Sequence, residues 1–289
     1  MELAGLTAIV TGSSQGLGVA IARKLVNDGA NVIITARSKD LLEDVRQSLL
    51  PLCAPEQTVT AIRCDVSNPE EVEALIEQTV SAASRLDIVV NNASIFGPMG
   101  SLVDSPWSEW VKTMEVNLLG TVYMCRTAIE HLKQAPRGKI VNFAGGGAAQ
   151  PLPSLCAYAT SKAAIIRFTE ELAEELRQFH IDANVVAPGP LNTRFVDQAI
   201  AAGAERLGQP LYDTIMNIRE GGGTPFEIGA NLCAYLASPR SDGVTGKFIS
   251  ARHDDWETLH QRVPELDSTD IYTMRRIDPA TIKKLLDSQ

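Results

Sequence analysis

Short apolar runs of β-favouring residues alternate with helical patterns along most of this 289-residue chain, and few architectures accept that order. The first run is 6–10 (Leu-Thr-Ala-Ile-Val); a glycine-punctuated turn follows, then a helical pattern over 19–27. Gly29 closes that helix, and 31–35 (Asn-Val-Ile-Ile-Thr) is a continuous apolar strand of the kind buried on both faces of a parallel sheet. The alternation continues with helices at 41–50, 69–83, 107–134 and 158–179, and strands at 59–64, 87–90, 139–143 and 182–186. It loosens over 189–225, a stretch of small and polar residues that reads as an irregular functional insertion, and resumes as helix 228–236 and strand 247–249. The pattern predicts an α/β fold: a doubly wound parallel sheet with right-handed crossovers, a single domain over 1–251 and an extension over 252–289. In that extension Asp278-Pro279 has the form of an N-cap and first residue of a short terminal helix.

Bulk properties narrow the function classes. A net charge of -9 and a pI near 5.0 repel phosphodiester backbones and anionic lipid, so neither nucleic acid nor membrane is an expected partner. No apolar run reaches the ~18 residues of a membrane span, and no basic, apolar and cleavable leader opens the chain. The five cysteines include no CxxC pair and match neither a zinc site nor a dense disulfide framework, so reduced thiols in a cytoplasm are expected. His253, Asp254 and Asp255 are adjacent on one segment and lack a partner set, so no metal site is expected.

Where the first strand meets the first helix lies Thr11-Gly12-Ser13-Ser14-Gln15-Gly16-Leu17-Gly18. Glycines there permit a sharp turn, a close approach to a pyrophosphate and tight helix packing, while the helix start offers unpaired N–H groups and a positive dipole end. The Gly-x-x-x-Gly-x-Gly spacing differs from the commoner Gly-x-Gly-x-x-Gly, and alone it reads equally as a flexible turn. Position adds weight: Asp65 ends the third strand, Asn91-Asn92-Ala93 the fourth and Pro188-Gly189 the sixth, the ends where an open parallel sheet binds ligands.

Tyr158 and Lys162, four residues apart in a helical pattern, share one helix face, where an ammonium would favour an ionised phenol. Asn117 is a polar residue inside an apolar helical stretch, where a buried amide needs partners.

Taken together, the 11–18 loop, Asp65-Val66, Asn91-Asn92-Ala93, Asn117, Tyr158-Ala159-Thr160-Ser161-Lys162 and Pro188-Gly189 resemble the short-chain dehydrogenase/reductase family, in the branch built as single Rossmann domains. The likeness runs from about residue 3 to 249. It implies an NAD(P)(H)-dependent oxidoreductase that interconverts an alcohol and a carbonyl of a small molecule. By that likeness the dinucleotide lies on Gly12, Ser14, Gln15, Gly16, Leu17 and Gly18, with Asp65 and Val66 at the adenine. Asn91, Ala93, Pro188 and Gly189 shape the cofactor cleft, and Thr193 holds the carboxamide. Tyr158 is the acid/base, Lys162 binds the nicotinamide ribose, and Asn117 holds a water in a proton relay. The second strand ends in Ala36-Arg37-Ser38 rather than in an acid, and a guanidinium pairs with a 2′-phosphate, which favours NADP(H) over NAD(H). The likeness further implies a homodimer or homotetramer through helices 107–134 and 158–179, with Ala163, Ile166 and Leu172 as a stripe that intrachain packing explains equally well.

One position departs from the family. Counting back from Tyr158 places its catalytic serine at Gly145, inside Asn142-Phe143-Ala144-Gly145-Gly146-Gly147. Loss of one such donor costs ~3 to 4 kcal/mol of transition-state stabilisation without compensation. Three readings stay open: backbone N–H groups at Gly145 and Gly146 replace the hydroxyl, the fold runs a non-redox dehydration or epimerisation, or it binds a dinucleotide as a sensor or partner subunit without turnover. The roomy glycine run favours a polar substrate such as a sugar derivative. Arg194 and Arg219 in the 189–225 segment are candidate anion anchors, and the tail start, Arg252 to Trp256, is a candidate cleft wall.

Overall fold

A computed structural model describes residues 1–279 and 281–283. Seven parallel strands, β1 (Thr7–Thr11), β2 (Asn31–Ala36), β3 (Val59–Arg63), β4 (Ile88–Asn91), β5 (Gly138–Phe143), β6 (Ile181–Ala187) and β7 (Phe248–Ser250), form one sheet in the order β3-β2-β1-β4-β5-β6-β7. Every residue of β1, β4 and β5 is buried, which is why their sequences read as unbroken apolar runs rather than alternating ones.

Two helical layers share the sheet by strict alternation. Ala8 and Val10 of β1, with Ile88 and Val90 of β4, point into a core closed by α1 (Gly16–Asn27) and α9 (Phe226–Ala237). Ile9 and Val89 point the other way, into a core closed by α3 (Pro69–Ala83), α5 (Gly120–Leu132) and α6 (Cys156–Leu176). The remaining helices are α2 (Lys39–Leu49), α4 (Trp107–Met114), α7 (Arg194–Leu207), α8 (Gln209–Gly221) and α10 (Val263–Ser268). Of the stripe read as a possible assembly surface, Ile166 and Leu172 of α6 are buried within the chain, whereas Ala163 is half-buried.

Two expectations need correction. Residues 189–225 are not irregular: they form the helical pair α7–α8, with Val196, Ala199, Leu207 and Ile215 buried between and beneath the helices. Gly203 breaks the helical dihedrals inside α7 (φ 76°, ψ 166°) and Gly208 separates the two helices, and these glycines obscure an otherwise regular apolar spacing. The 107–134 helix is also not uniform: a π-helical segment, Glu115–Leu119, separates α4 from α5 and contains Asn117.

The tail packs rather than trails. Leu259 and Leu266 are buried in the α1–α9 core, Trp256 lies 5.5 Å from Tyr235, and the Phe248 N–H of β7 donates to Tyr272 O at 2.7 Å. Glu170 of α6 accepts from Met274 N–H at 2.8 Å and pairs with Arg275. Asp278 accepts from Thr281 N–H at 2.9 Å, as an N-cap does, and 281–283 are helical; residues 284–289 lie outside the described residues.

Candidate active site

The strand order reverses between β1 and β4, so the chain diverges on either side of their carboxyl ends and leaves a crevice there. Thr11 brackets it. Its hydroxyl accepts from Asn92 N–H (3.0 Å) and Ala93 N–H (3.1 Å) and donates to Val90 O (3.3 Å). Asn92 Nδ2 donates back to Thr11 O (3.0 Å) and Gly12 O (3.2 Å), tying the glycine loop to the end of β4. Asn92 therefore does the work expected of Asn91. The Asn91 amide points into the interior, donating to Asn142 Oδ1 at 2.9 Å and Cys125 Sγ at 3.3 Å. Nothing distinguished the two asparagines before the strand boundary was known.

Two glycines of the loop are dictated by contact. A Cβ at Gly12 (φ 67°) would stand 2.8 Å from Ala93 Cα, and one at Gly18 would overlap Gly12 O. The start of α1 has no side-chain cap and no acid in its first turn, whereas α2, α3 and α7 are capped by Ser38, Asn68 and Thr193. Uncapped N–H groups at a dipole's positive end, facing an open cleft, suit a pyrophosphate, so these residues fit a dinucleotide.

Gly12, Ser14 to Gly18, Arg37, Asp65, Val66, Ala93, Pro188, Gly189 and Thr193 all line one continuous cleft with Gly145, Gly146, Tyr158, Lys162 and Arg194. The side chains of Arg37 and Arg194 are exposed in it and make no hydrogen bond or ion pair among the described residues. Arg219 is paired instead with Asp197, clasping α8 to α7, and does not line the cleft. The stem of Arg252 packs on Gly189, where an added Cβ would lie 3.0 Å from Arg252 Cδ. Asp254 caps Ser250 N–H at 2.6 Å and Asp255 accepts from the Thr258 hydroxyl at 3.1 Å.

At the chemical end, α6 presents Tyr158 and Lys162 on one face, both buried. Lys162 Nζ donates to Phe143 O at 2.9 Å and lies 5.9 Å from the Tyr158 ring centroid. Burial pushes the phenol well above its ordinary value and the ammonium down to about 8. The amine was expected to lower the phenol, but in this arrangement desolvation governs both groups. Apolar rings explain it: Phe96 meets the phenol edge-on at 4.8 Å, and Phe195 stacks on Phe96 at 4.3 Å. Among the described residues the Tyr158 hydroxyl makes no hydrogen bond.

Gly145 lies directly under that hydroxyl. A Cβ there would overlap the Tyr158 oxygen and stand 2.9 Å from Cζ, so the phenol occupies the space a side chain would need. Flanking bonds run from Ala144 N–H to Val186 O (3.0 Å) and from Ala148 N–H to Gly145 O (3.2 Å); the N–H groups of Gly145, Gly146 and Gly147 take no acceptor among the described residues. Asn117 is fully engaged: Nδ2 donates to Ile95 O (2.9 Å) and Ser161 Oγ (3.0 Å), and Oδ1 accepts from Ile95 N–H (2.8 Å) and Ser94 Oγ (3.2 Å). Its side chain has no donor or acceptor left for a relay water, and it fixes the loop after β4 onto α6.

The sequence pattern of the short chain dehydrogenase family matches residues 6–202. The chain belongs to that family. The dehydrogenase/reductase SDR family member 4 of Sus scrofa is 30% identical over 242 residues, covering 84% of each chain. The 3beta-hydroxysteroid dehydrogenase 1 of Eggerthella lenta is 35% identical over 252 residues, 85% of this chain and 91% of the relative. Among solved structures, a short chain dehydrogenase from Mycobacterium smegmatis superposes with a TM-score of 0.71 at 29% identity, covering 86% of this chain and 92% of that one. NAD+-bound xylitol dehydrogenase, with a TM-score of 0.77 at 22% identity over 86% and 98% of the two chains, shares the fold. This short-chain dehydrogenase is an NAD(P)-dependent oxidoreductase that interconverts alcohols and carbonyls. No helix among the described residues is long and apolar enough to cross a membrane.

Proposed function

We propose that Tyr158 is the proton donor and acceptor of this oxidoreductase, that the backbone N–H groups of Gly145 and Gly146 replace the absent serine, and that NADP(H) is the preferred dinucleotide. The observation that carries the reading is the Tyr158 hydroxyl, unbonded among the described residues and set against Gly145, whose N–H, like that of its cleft-lining neighbour Gly146, takes no acceptor among those residues. When bound, the dinucleotide supplies or accepts the hydride. Tyr158 gives its proton to the substrate oxygen during reduction, the glycine N–H groups hold that oxygen as charge develops, and Lys162 stabilises the phenolate left behind. Gly12, Ser14 to Gly18, Asp65, Val66, Ala93, Pro188, Gly189 and Thr193 hold the dinucleotide, and the α7–α8 pair covers the substrate. Mixing the protein with NADPH and a panel of ketones and aldehydes is expected to consume the reduced-nicotinamide absorbance; product without net cofactor change points instead to non-redox chemistry.

Lys162 is cationic below about pH 8 and neutral above it, so the phenolate loses its support as pH rises. kcat/KM for carbonyl reduction is therefore expected to hold up to about pH 8 and fall beyond it. In Lys162→Arg the descending limb moves upward, because a guanidinium keeps its proton above ~pH 12. A limb that stays near 8 in that variant assigns it to another group.

The cofactor preference rests on Arg37, a cleft-lining cation just after β2 with no ion pair of its own among the described residues. Arg37→Glu is expected to weaken NADPH binding by roughly 10- to 100-fold, through loss of a charge-assisted bond plus repulsion, and to change NADH little. Fluorescence titration of both dinucleotides decides it; an unchanged NADPH/NADH ratio removes Arg37 from the assignment.

A homodimer or homotetramer is the proposed assembly, through α4 and α5. Leu102 (57% exposed), Val103 (89%), Trp107 (70%) and Leu119 (56%) give that side an apolar surface a monomer would leave wet. A cytoplasmic location fits the five unpaired cysteines, three of them buried.

A further inference from the structure

Phe96 stands between two cavities. It lines the reaction cleft, and it also lines a second cavity formed by the loop after β4, by α4 and by α7, whose polar lining includes Glu109, Lys112, Gln198 and Arg206. On the cleft side, Phe96 and Phe195 abut the Tyr158 ring, and Leu152, Leu155, Leu211 and Ile215 add apolar lining to the same cleft. Each hydroxyl of a sugar bound against these apolar side chains would need a polar partner, so the apolar part of the cleft favours a carbonyl compound with few hydroxyls. On the other side, Lys112 is already held by Ser67 Oγ (2.8 Å) and Glu115 (3.3 Å), whereas Arg206 makes no side-chain hydrogen bond or ion pair among the described residues.

The wall between them is fixed at both its faces and its base. The Phe96 ring is stacked by Phe195 at 4.3 Å and abuts Tyr158 at 4.8 Å. The preceding residue, Ile95, is bonded through both its N–H and its carbonyl to Asn117. The following residue, Gly97, has φ 72°, and a Cβ there would overlap Thr113 of α4, so the loop sits hard on that helix. Ile95 also lines both cavities, but with the backbone held on either side the part of the partition that abuts Tyr158 is the Phe96 side chain.

We propose that Phe96 is a specificity-determining residue that sets the length limit of the substrate. With the ring in place the cleft takes a compact apolar carbonyl compound or its alcohol, and removing it joins the cleft to a second chamber that accepts an elongated carbonyl compound ending in an anion, read by Arg206. This rests on the oxidoreductase reading for its chemistry but not for its geometry.

The test compares the full-length chain with Phe96→Ala, Phe96→Leu and the double variant Phe96→Ala/Arg206→Ala. Two probes are used, a small cyclic ketone and a long-chain oxo-carboxylic acid, each followed by calorimetric binding and by NADPH-dependent turnover. Phe96→Ala is expected to bind the oxo acid at least about tenfold more tightly than the parent, a gain lost in the double variant, and to turn over the cyclic ketone less well. Phe96→Leu, which keeps most of the apolar fill and guards against a misfolded alanine variant, shows a smaller gain in the same direction. A parent protein that binds the oxo acid as tightly as Phe96→Ala overturns the proposal, as does a gain that survives loss of Arg206 or is absent from both single variants. The expected binding pattern without turnover of either probe leaves the length limit standing and removes the oxidoreductase reading; turnover indifferent to residue 96 does the reverse.

Discussion

Tyr158→Phe is expected to lower kcat/KM for carbonyl reduction by about 10²- to 10⁴-fold, the range that one positioned acid contributes, with no loss of dinucleotide affinity. The ring is held by contacts that phenylalanine keeps, since Phe96 meets its edge and α6 fixes its backbone. Only the oxygen is removed, and among the described residues that oxygen bonds to no other protein group, so the fold loses no hydrogen bond seen there. The loss should fall in kcat, because a proton transferred in the transition state contributes little to ground-state binding. Steady-state kinetics with NADPH, beside a fluorescence titration of the dinucleotide, separate the two quantities. Turnover within a few fold of the parent would show that the proton comes from elsewhere, and Tyr158 would then be a structural residue.

Gly145→Ser tests the departure from the family in the opposite sense from intuition. A serine there supplies the hydroxyl that relatives are expected to carry, yet its Cβ overlaps the Tyr158 oxygen and crowds Cζ at 2.9 Å and Cε1 at 3.2 Å. Phe96 and Phe195 close the other side of the ring, so the phenol must leave its position to make room. Misplacing a reacting group by about an ångström costs on the order of 10²-fold, and a loss of that size in kcat is expected. Gly145→Ala carries the same Cβ without the oxygen and should lose as much, which assigns the effect to volume rather than to a new hydrogen bond. A rise in activity with serine but not alanine would mean that the wild-type site lacks a donor and that the glycine N–H groups do not replace it.

Legibility in the sequence followed burial on both faces. The central strands β1, β4, β5 and β6 carry side chains into two cores at once, so their apolar runs were unbroken and their positions correct to within a residue or so. The α7–α8 pair escaped because its apolar spacing is cut by Gly203 and Gly208, and because only one face of each helix meets the rest of the chain. Within the site, the glycine loop, Tyr158 and Lys162 were readable because backbone geometry fixes their spacing. Phe96 and Phe195 were not: they meet across a gap of 99 positions, and no local pattern records which loop residue a lid helix will touch. Asn91 and Asn92 differ only in which side of the sheet each faces, a matter of one residue in register. The glycine at 145 was visible, but its meaning was not, because the volume it vacates is filled by a side chain thirteen positions later.

The bond from Phe248 to Tyr272 bears on how copies of this chain can join. A sheet that ends in a bare strand invites the same strand from a second molecule to continue the ladder through a shared seam. In this protein the amide that such a neighbour would have to engage already belongs to the chain's own C-terminal segment, which is held there by Glu170 as well. Growth past β7 would first have to peel that segment away, so shortening the protein before residue 270 should create a sticky margin that the intact molecule keeps sealed.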